Sequence, residues 1–212
     1  MKFKAVIFDL DGVLCYTDKF HYRAWKKLAD EEKIYFDEEI NKRLRGVSRM
    51  DSLEIILEQA DRQYNKTEKE ALATRKNEYY VKFLQSITTD ALASGAVETI
   101  IALKAKGLKL AIGSSSKNTK LILEKLNLME YFDAISDGVG IKNSKPDPEV
   151  FLKASEMLKE APKDCLVVED AMAGIEAAVR GGFRSAAIGD ARNHFECSFE
   201  INELEELLNI VE

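Results

Sequence analysis

Four short apolar runs, Ala5 to Phe8, Leu108 to Gly113, Cys165 to Val168 and Ser185 to Ile188, constrain the fold of this 212-residue chain more than any other feature. They are mostly Val, Ile, Leu, Ala and Phe without polar alternation, the pattern of strands buried on both faces of a parallel sheet. Helical patterns separate the later runs: Val97, Ile100 and Ile101; Leu121, Ile122 and Leu126; Ile175, Ala178 and Val179 before the paired Gly181 and Gly182. Strand alternating with helix predicts an α/β chain whose core is a doubly wound, Rossmann-like parallel sheet. Residues 17–88 break the rhythm. They show no strand pattern but several amphipathic stretches, such as Leu53, Ile56, Leu57 and Ala60. A helical domain over 17–88, inserted in a core made of 1–16 and 89–212, is therefore expected.

Composition excludes several classes of function. With 46% hydrophobic residues the chain can bury a sizeable core and is not a disordered or fibrous protein. A net charge of −6 repels polyanions, so neither nucleic acid nor a membrane surface is an expected partner. A small anion can still bind through local positive groups. Cys15, Cys165 and Cys197 are an odd number at irregular spacing, which reads as reduced thiols in a cytoplasmic protein. The opening MKFKAVIF reads as a charged lead into a strand rather than a targeting segment, and no apolar run approaches membrane-spanning length. In the tail, His194 and Cys197 have no partner at metal-ligand spacing and are expected to be exposed.

Four clusters carry chemistry. In Phe8-Asp9-Leu10-Asp11-Gly12 an apolar strand runs into two carboxylates, and Val167-Val168-Glu169-Asp170 repeats the pattern. Each has a plain alternative: the first pair can simply begin a turn, and Asp170 can cap a helix starting near Ala171. If both strands share a sheet, two acidic pairs converge at its carboxyl edge and require a hard cation with oxygen ligands, for which magnesium is expected. Gly113-Ser114-Ser115-Ser116-Lys117-Asn118 ends a strand in hydroxyls that could cradle a phosphate or merely cap a helix. Lys145-Pro146-Asp147-Pro148 places a cation just before a helix, where lysine is usually solvated.

In this order the four clusters resemble the haloacid dehalogenase superfamily of phosphotransferases, over residues 4–190. The resemblance implies that Asp9 is the nucleophile, Asp11 the general acid/base, and Ser114 with Lys145 the phosphate clamp. It implies one magnesium ion per active site, held by Asp9, Asp11, Glu169 and Asp170, and a cap at the position of the helical insert. An aspartate attacks phosphorus only when repulsion between the two anions is cancelled, which the metal and Lys145 would do.

Within the insert, His21-Tyr22-Arg23-Ala24-Trp25, Arg45-Gly46-Val47-Ser48-Arg49 with Ser52, and Arg75-Lys76-Asn77 are similar to segments of the β-phosphoglucomutases, as is Ser116-Lys117-Asn118 on the core. Taken singly, Trp25 and Val47 read as core, and Arg45, Arg75 and Lys76 as solvated charges. The closer resemblance implies instead that Thr17 and His21 lie at a hinge and site rim. It puts Trp25, Gly46, Val47 and Lys76 toward a sugar phosphate, and Ser52, Ser116, Lys117 and Asn118 among the substrate contacts. Arg49 becomes the clamp for the phosphate not being transferred, a task suited to its planar fork. The implied reaction interconverts β-glucose 1-phosphate and glucose 6-phosphate through a phospho-aspartate and a 1,6-bisphosphate, in a monomer. A magnesium-dependent sugar-phosphate phosphatase is the rival. Tyr16 departs from the acidic residue that many such proteins carry before the threonine.

Overall fold

The structure, a computed structural model, describes residues 3–44 and 47–212. It contains two compact units: one from the two ends of the chain, up to Tyr16 and from Thr88 on, the other from Thr17–Ile87. In chain order, β1 (Ala5–Phe8) opens the first unit. Four helices make the second: α1 (Asp18–Glu32), α2 (Glu38–Lys42), α3 (Arg49–Leu57) and α4 (Lys66–Leu84). The first unit resumes with α5 (Ala96–Ala105), β2 (Lys109–Gly113), α6 (Thr119–Lys125), β3 (Ala134–Ser136) and α7 (Glu149–Leu158). It ends with β4 (Cys165–Glu169), α8 (Met172–Arg180), β5 (Arg184–Ala187), β6 (Phe199–Glu200) and α9 (Leu207–Ile210).

All strand pairs are parallel, in the order β3-β2-β1-β4-β5-β6. This is the doubly wound α/β fold expected from the apolar runs. Chain order reverses between β1 and β4, so the sheet's topological switch point lies there, and ligands of such folds bind outside the carboxyl ends of those strands. The register sets Phe8 between Ile112 and Val168, so Asp9 and Glu169 emerge side by side at that edge. Both faces are dry. Ala5, Ile7, Ala111, Cys165 and Val167 pack with Val150, Phe151 and Ala154 of α7 and Ala177 and Ala178 of α8. The alternate residues Val6, Phe8, Leu110, Ile112, Leu166 and Val168, which point to the other face, are equally buried.

Two strands were not legible as apolar runs: β3 has three residues and β6 two, too few for a period to register. The β2 strand starts one residue later than the apolar run, because the Leu108 amide closes the turn after α5 by donating to Leu103 O. The β5 strand is displaced by one residue, with Ile188 leading instead into a short 3-10 turn over Gly189–Asn193. Ala60 falls beyond the end of α3. Among the described residues no helix is long and apolar enough to cross a membrane.

The helical unit has a core of its own, formed by Trp25, Leu28, Ala29, Ile34, Phe36, Leu53, Ile56, Tyr64, Leu72 and Ala73. Its helices are locally well started: Ser48 caps α3 through the Asp51 amide, and Asn65 with Glu68 forms a capping box on α4. A polar seam joins α1 to α4. The His21 ring stacks on Tyr80 at 4.0 Å, Tyr80 donates to Thr17 Oγ1 at 3.2 Å, and Lys76 Nζ donates to His21 Nδ1 at 2.8 Å. A lysine ammonium has no acceptor, so this bond needs a neutral imidazole with a bare Nδ1 and its proton on Nε2.

Burial, reinforced by the Lys76 and Arg49 charges, holds His21 well below its ordinary 6.5. The unfolded chain therefore takes up a proton before the folded chain does. Stability contributed by the neutral ring is present above pH 6.5 and drains away as the pH falls toward the depressed folded value. Unfolding free energies measured from pH 7 to pH 5 should show His21→Gln with a flatter acid limb than the parent, whose excess slope approaches about 1.4 kcal/mol per pH unit. Parallel limbs in the two proteins would contradict the neutral His21.

Candidate active site

The turn after β1 is closed by short backbone bonds: Asp9 N to Val168 O at 2.9 Å, Gly12 N to Cys15 O at 2.8 Å and Leu14 N to Leu10 O at 3.0 Å. Gly12 has φ +89°, and a Cβ there would overlap the Asp170 carboxylate. Only glycine lets the two acidic ends approach this closely. Asp11 occupies the same turn, bridged through its backbone to Cys15.

Lys145, with a side chain only 9% exposed, reaches this edge from the loop before α7. Its Nζ donates to Asp9 Oδ1 at 2.5 Å and to Glu169 Oε1, above the Phe151 ring at 4.6 Å. The other oxygen of Glu169 accepts from the Ala171 amide at 2.9 Å. Burial pushes Asp9 up; Lys145 opposes the shift, while Glu169 and Asp11 add to it, leaving Asp9 at about 7. Asp170 rises to about 8, again through burial first and then the Glu169 and Asp9 charges. Burial alone would lower Lys145, but its two carboxylate partners outweigh that and hold it above its ordinary 10.5. Asp9 and Glu169 thus share one ammonium while the charges of Asp11 and Asp170 bear on the same cluster, so negative charge exceeds what Lys145 neutralises.

That surplus is what a hard divalent cation with oxygen ligands relieves. Among the described residues no three acidic side chains already stand as a finished metal cage. Asp9 and Asp170, both destabilised as anions, have the donor chemistry for such an ion.

The serine run follows β2. Ser114 is buried, and its amide extends the sheet to Ser136 O at 3.1 Å. The Ser114 and Ser116 hydroxyls accept from the Ser116 and Asn118 amides, both at 3.2 Å, which leaves each O–H hydrogen as a donor. Lys117 is exposed and Asn118 half-buried just before α6. Ser115, inside the run Gly113 to Asn118 but not singled out by its pattern, has a buried Oγ with no hydrogen-bond partner among the described residues.

On the helical unit, Thr17, His21 and Trp25 recur at intervals of four along the start of α1, and Lys76 and Tyr80 along α4, the spacing that stacks side chains on one helix face. Trp25 belongs to the unit's core, where its ring carries Lys76 Nζ at 4.7 Å; Tyr80 lies under the same nitrogen at 4.9 Å. Tyr80 was missed in the sequence, although its position four residues after Lys76 was the available signal. Arg49 begins α3; burial lowers its basicity, and its charge is felt at His21. Ser52 is buried one turn further along α3, and Val47 is exposed beside the cap. Gly46, and Arg45 before it, lie outside the described residues. Two cations, Lys76 and Arg49, therefore bear on one neutral imidazole, a setting that suits an anion.

One expectation for the tail fails. His194 is buried, 7% exposed, because the turn over Gly189–Asn193 folds it inward; its Nδ1 accepts from the Glu196 amide at 3.2 Å. Cys197 is half-buried.

Comparison with known proteins agrees with this geometry. The sequence model of the haloacid dehalogenase-like hydrolases matches residues 3–182. The chain is 40% identical over 191 residues to a β-phosphoglucomutase of Bacillus subtilis, covering 89% of this chain and 84% of that protein. It is 29% identical to a phosphorylated carbohydrates phosphatase of Thermotoga maritima, over 98% of both. A crystal structure of a β-phosphoglucomutase from Clostridium difficile superposes with a TM-score of 0.88 at 37% identity, covering 97% of this chain and 93% of that one. With its buried aspartate and lysine at the switch point of the sheet, the chain belongs to the haloacid dehalogenase-like hydrolase family and resembles the β-phosphoglucomutases within it.

Proposed function

We propose that this protein is a magnesium-dependent β-phosphoglucomutase, interconverting β-glucose 1-phosphate and glucose 6-phosphate. Two anion-binding settings carry the proposal: Lys145 on Asp9 in the core unit, and Arg49 with Lys76 in the helical unit. Transfer to water needs the first. A substrate with two phosphates, bound in either orientation, needs a second as well. The 40% identity to a mutase points the same way.

In the proposed cycle an Asp9 carboxylate oxygen attacks phosphorus of glucose 1,6-bisphosphate and the bond from phosphorus to the sugar oxygen breaks. Asp11, protonated, gives its proton to that leaving oxygen. On return, Asp11 takes the proton of the attacking sugar hydroxyl as the phosphoryl group leaves Asp9. Such positioned proton transfer contributes roughly 10² to 10⁴ in rate. Lys145 stays charged throughout and cancels the repulsion between Asp9 and the incoming phosphoryl group. Ser114 and Ser116 donate to phosphoryl oxygens, with Lys117 and Asn118 beside them. Asp9, Asp11 and Asp170 would hold the magnesium ion, with Glu169, whose oxygens accept from Lys145 and the Ala171 amide, completing the acidic set. When bound, magnesium supplies Lewis-acid stabilisation of the phosphoryl oxygens.

The segment 17–88 is proposed as the cap. In it Arg49 and Lys76 bind the phosphate not in transfer, Val47, Gly46 and Ser52 line the sugar, Trp25 supports Lys76, and Thr17 and His21 tie the cap's entry to α4.

Asp9→Asn should lose all but a trace of turnover while keeping the melting temperature of the parent, since the near-isosteric amide cannot attack phosphorus. Appreciable turnover in the folded variant would remove Asp9 from the nucleophile's role. The reaction class is tested by supplying β-glucose 1-phosphate with a trace of glucose 1,6-bisphosphate and magnesium. Glucose 6-phosphate should then form far faster than free phosphate, and excess chelator should stop both. Equal rates of the two products would replace the mutase by a phosphatase.

A further inference from the structure

Lys145 acts only where it stands, yet it sits in the irregular stretch between β3 and α7, which has no ladder of its own to fix it. The first residue of α7 does the fixing. Glu149 turns its side chain back over the loop, and Oε2 accepts from the Lys142 and Asn143 amides, both at 2.9 Å. Lys153, one turn on, pairs with Glu149 Oε1 at 2.7 Å and donates to Gly140 O, where the loop begins. Between these ends the Asp147 amide donates to Ser144 O at 3.1 Å, and Asp147 Oδ1 accepts from the Glu149 amide at 2.9 Å.

We propose that Glu149, backed by Lys153, is the positioning residue for Lys145: its carboxylate closes residues 142–149 into a ring and sets where the ammonium stands against Asp9. The inference rests on the role given to Lys145 in the reaction above. Carboxylate bonds to amides are charge-assisted and short, the kind that hold a loop. Lys153, and then the Asn143 amide, hold the Glu149 carboxyl down at about 2, so the clasp is charged at neutral pH. A further tether on the same stretch, Arg180 to Pro146 O at 3.3 Å, comes from an exposed side chain and is long for a hydrogen bond.

Removing the clasp lets Lys145 drift, and a displacement of about 1 Å at a reacting centre costs up to about 10²-fold in rate. Glu149→Ala should lower kcat roughly ten- to hundredfold with KM changed far less. Glu149→Gln, which keeps an oxygen for both amides, should recover most of the loss. Lys153→Ala, milder for the fold, should shift kcat in the same direction by less.

The same proteins are pulsed with an amine-modifying reagent, and labelling at Lys145 is read by peptide mass spectrometry without substrate. Glu149→Ala should label Lys145 several times faster than the parent while lysines of the helical unit are unchanged. If Lys145 labels at the parental rate in folded Glu149→Ala and Lys153→Ala, Glu149 does not position it and the inference falls. If labelling rises but kcat does not change, the clasp is real and the catalytic role assigned to Lys145 is what fails.

Discussion

Too much negative charge at the carboxyl edge of a dry sheet is the constraint on which the rest of this molecule turns. The switch point between β1 and β4 buries Asp9 and Glu169, with Asp11 and Asp170 next to them in the chain, and the Lys145 ammonium answers the buried pair. Each carboxylate buried this way costs several kcal/mol unless it is paired, bound to a cation or protonated. The upward shifts of Asp9 and Asp170 express that cost, and strongly shifted groups at a sheet's switch point are the mark of a functional cluster. Gly12 is part of the same constraint, since any side chain there would drive Asp170 away from the turn that carries Asp9 and Asp11.

The helical unit has the opposite electrostatic character at its polar seam. Lys76 lies on two aromatic rings with a neutral imidazole as acceptor, and Arg49 adds a second charge nearby. Aromatic faces and a bare ring nitrogen hold an ammonium while leaving its charge in place to attract an anion. A unit with its own core can carry such a seam without disturbing the sheet. One unit thus offers carboxylates and the other cations.

Much of this could be read from residue order because the parallel core writes itself as continuous apolar runs, and the acids that end β1 and β4 follow those runs directly. Spacing alone does not bring Lys145 to Asp9 and Glu169, since residues so far apart in the chain meet only through the strand order; the family resemblance is what put them in one site. Short strands also escaped: β3 and β6 owe their existence to neighbours rather than to their own pattern. Trp25 reads as core when taken singly and as a sugar-phosphate contact by the resemblance; in the structure it lies in the helical unit's core with Lys76 over its ring. His194 was misjudged because nothing local signals the turn that folds it inward. The bonds from Glu149 to the Lys142 and Asn143 amides depend on a loop geometry that side-chain pattern does not encode.

A phosphoryl group carried on Asp9 is the central claim, and trapping it is the most direct measurement. Protein quenched during turnover with glucose 1,6-bisphosphate and treated with borohydride would have an acyl phosphate reduced to the alcohol, turning the modified aspartate into homoserine. Peptide mass spectrometry should find homoserine at position 9 and nowhere else, and only when substrate was present. A phosphoryl group recovered on Ser114, Ser116 or His21 instead, with Asp9 intact, would contradict the mechanism.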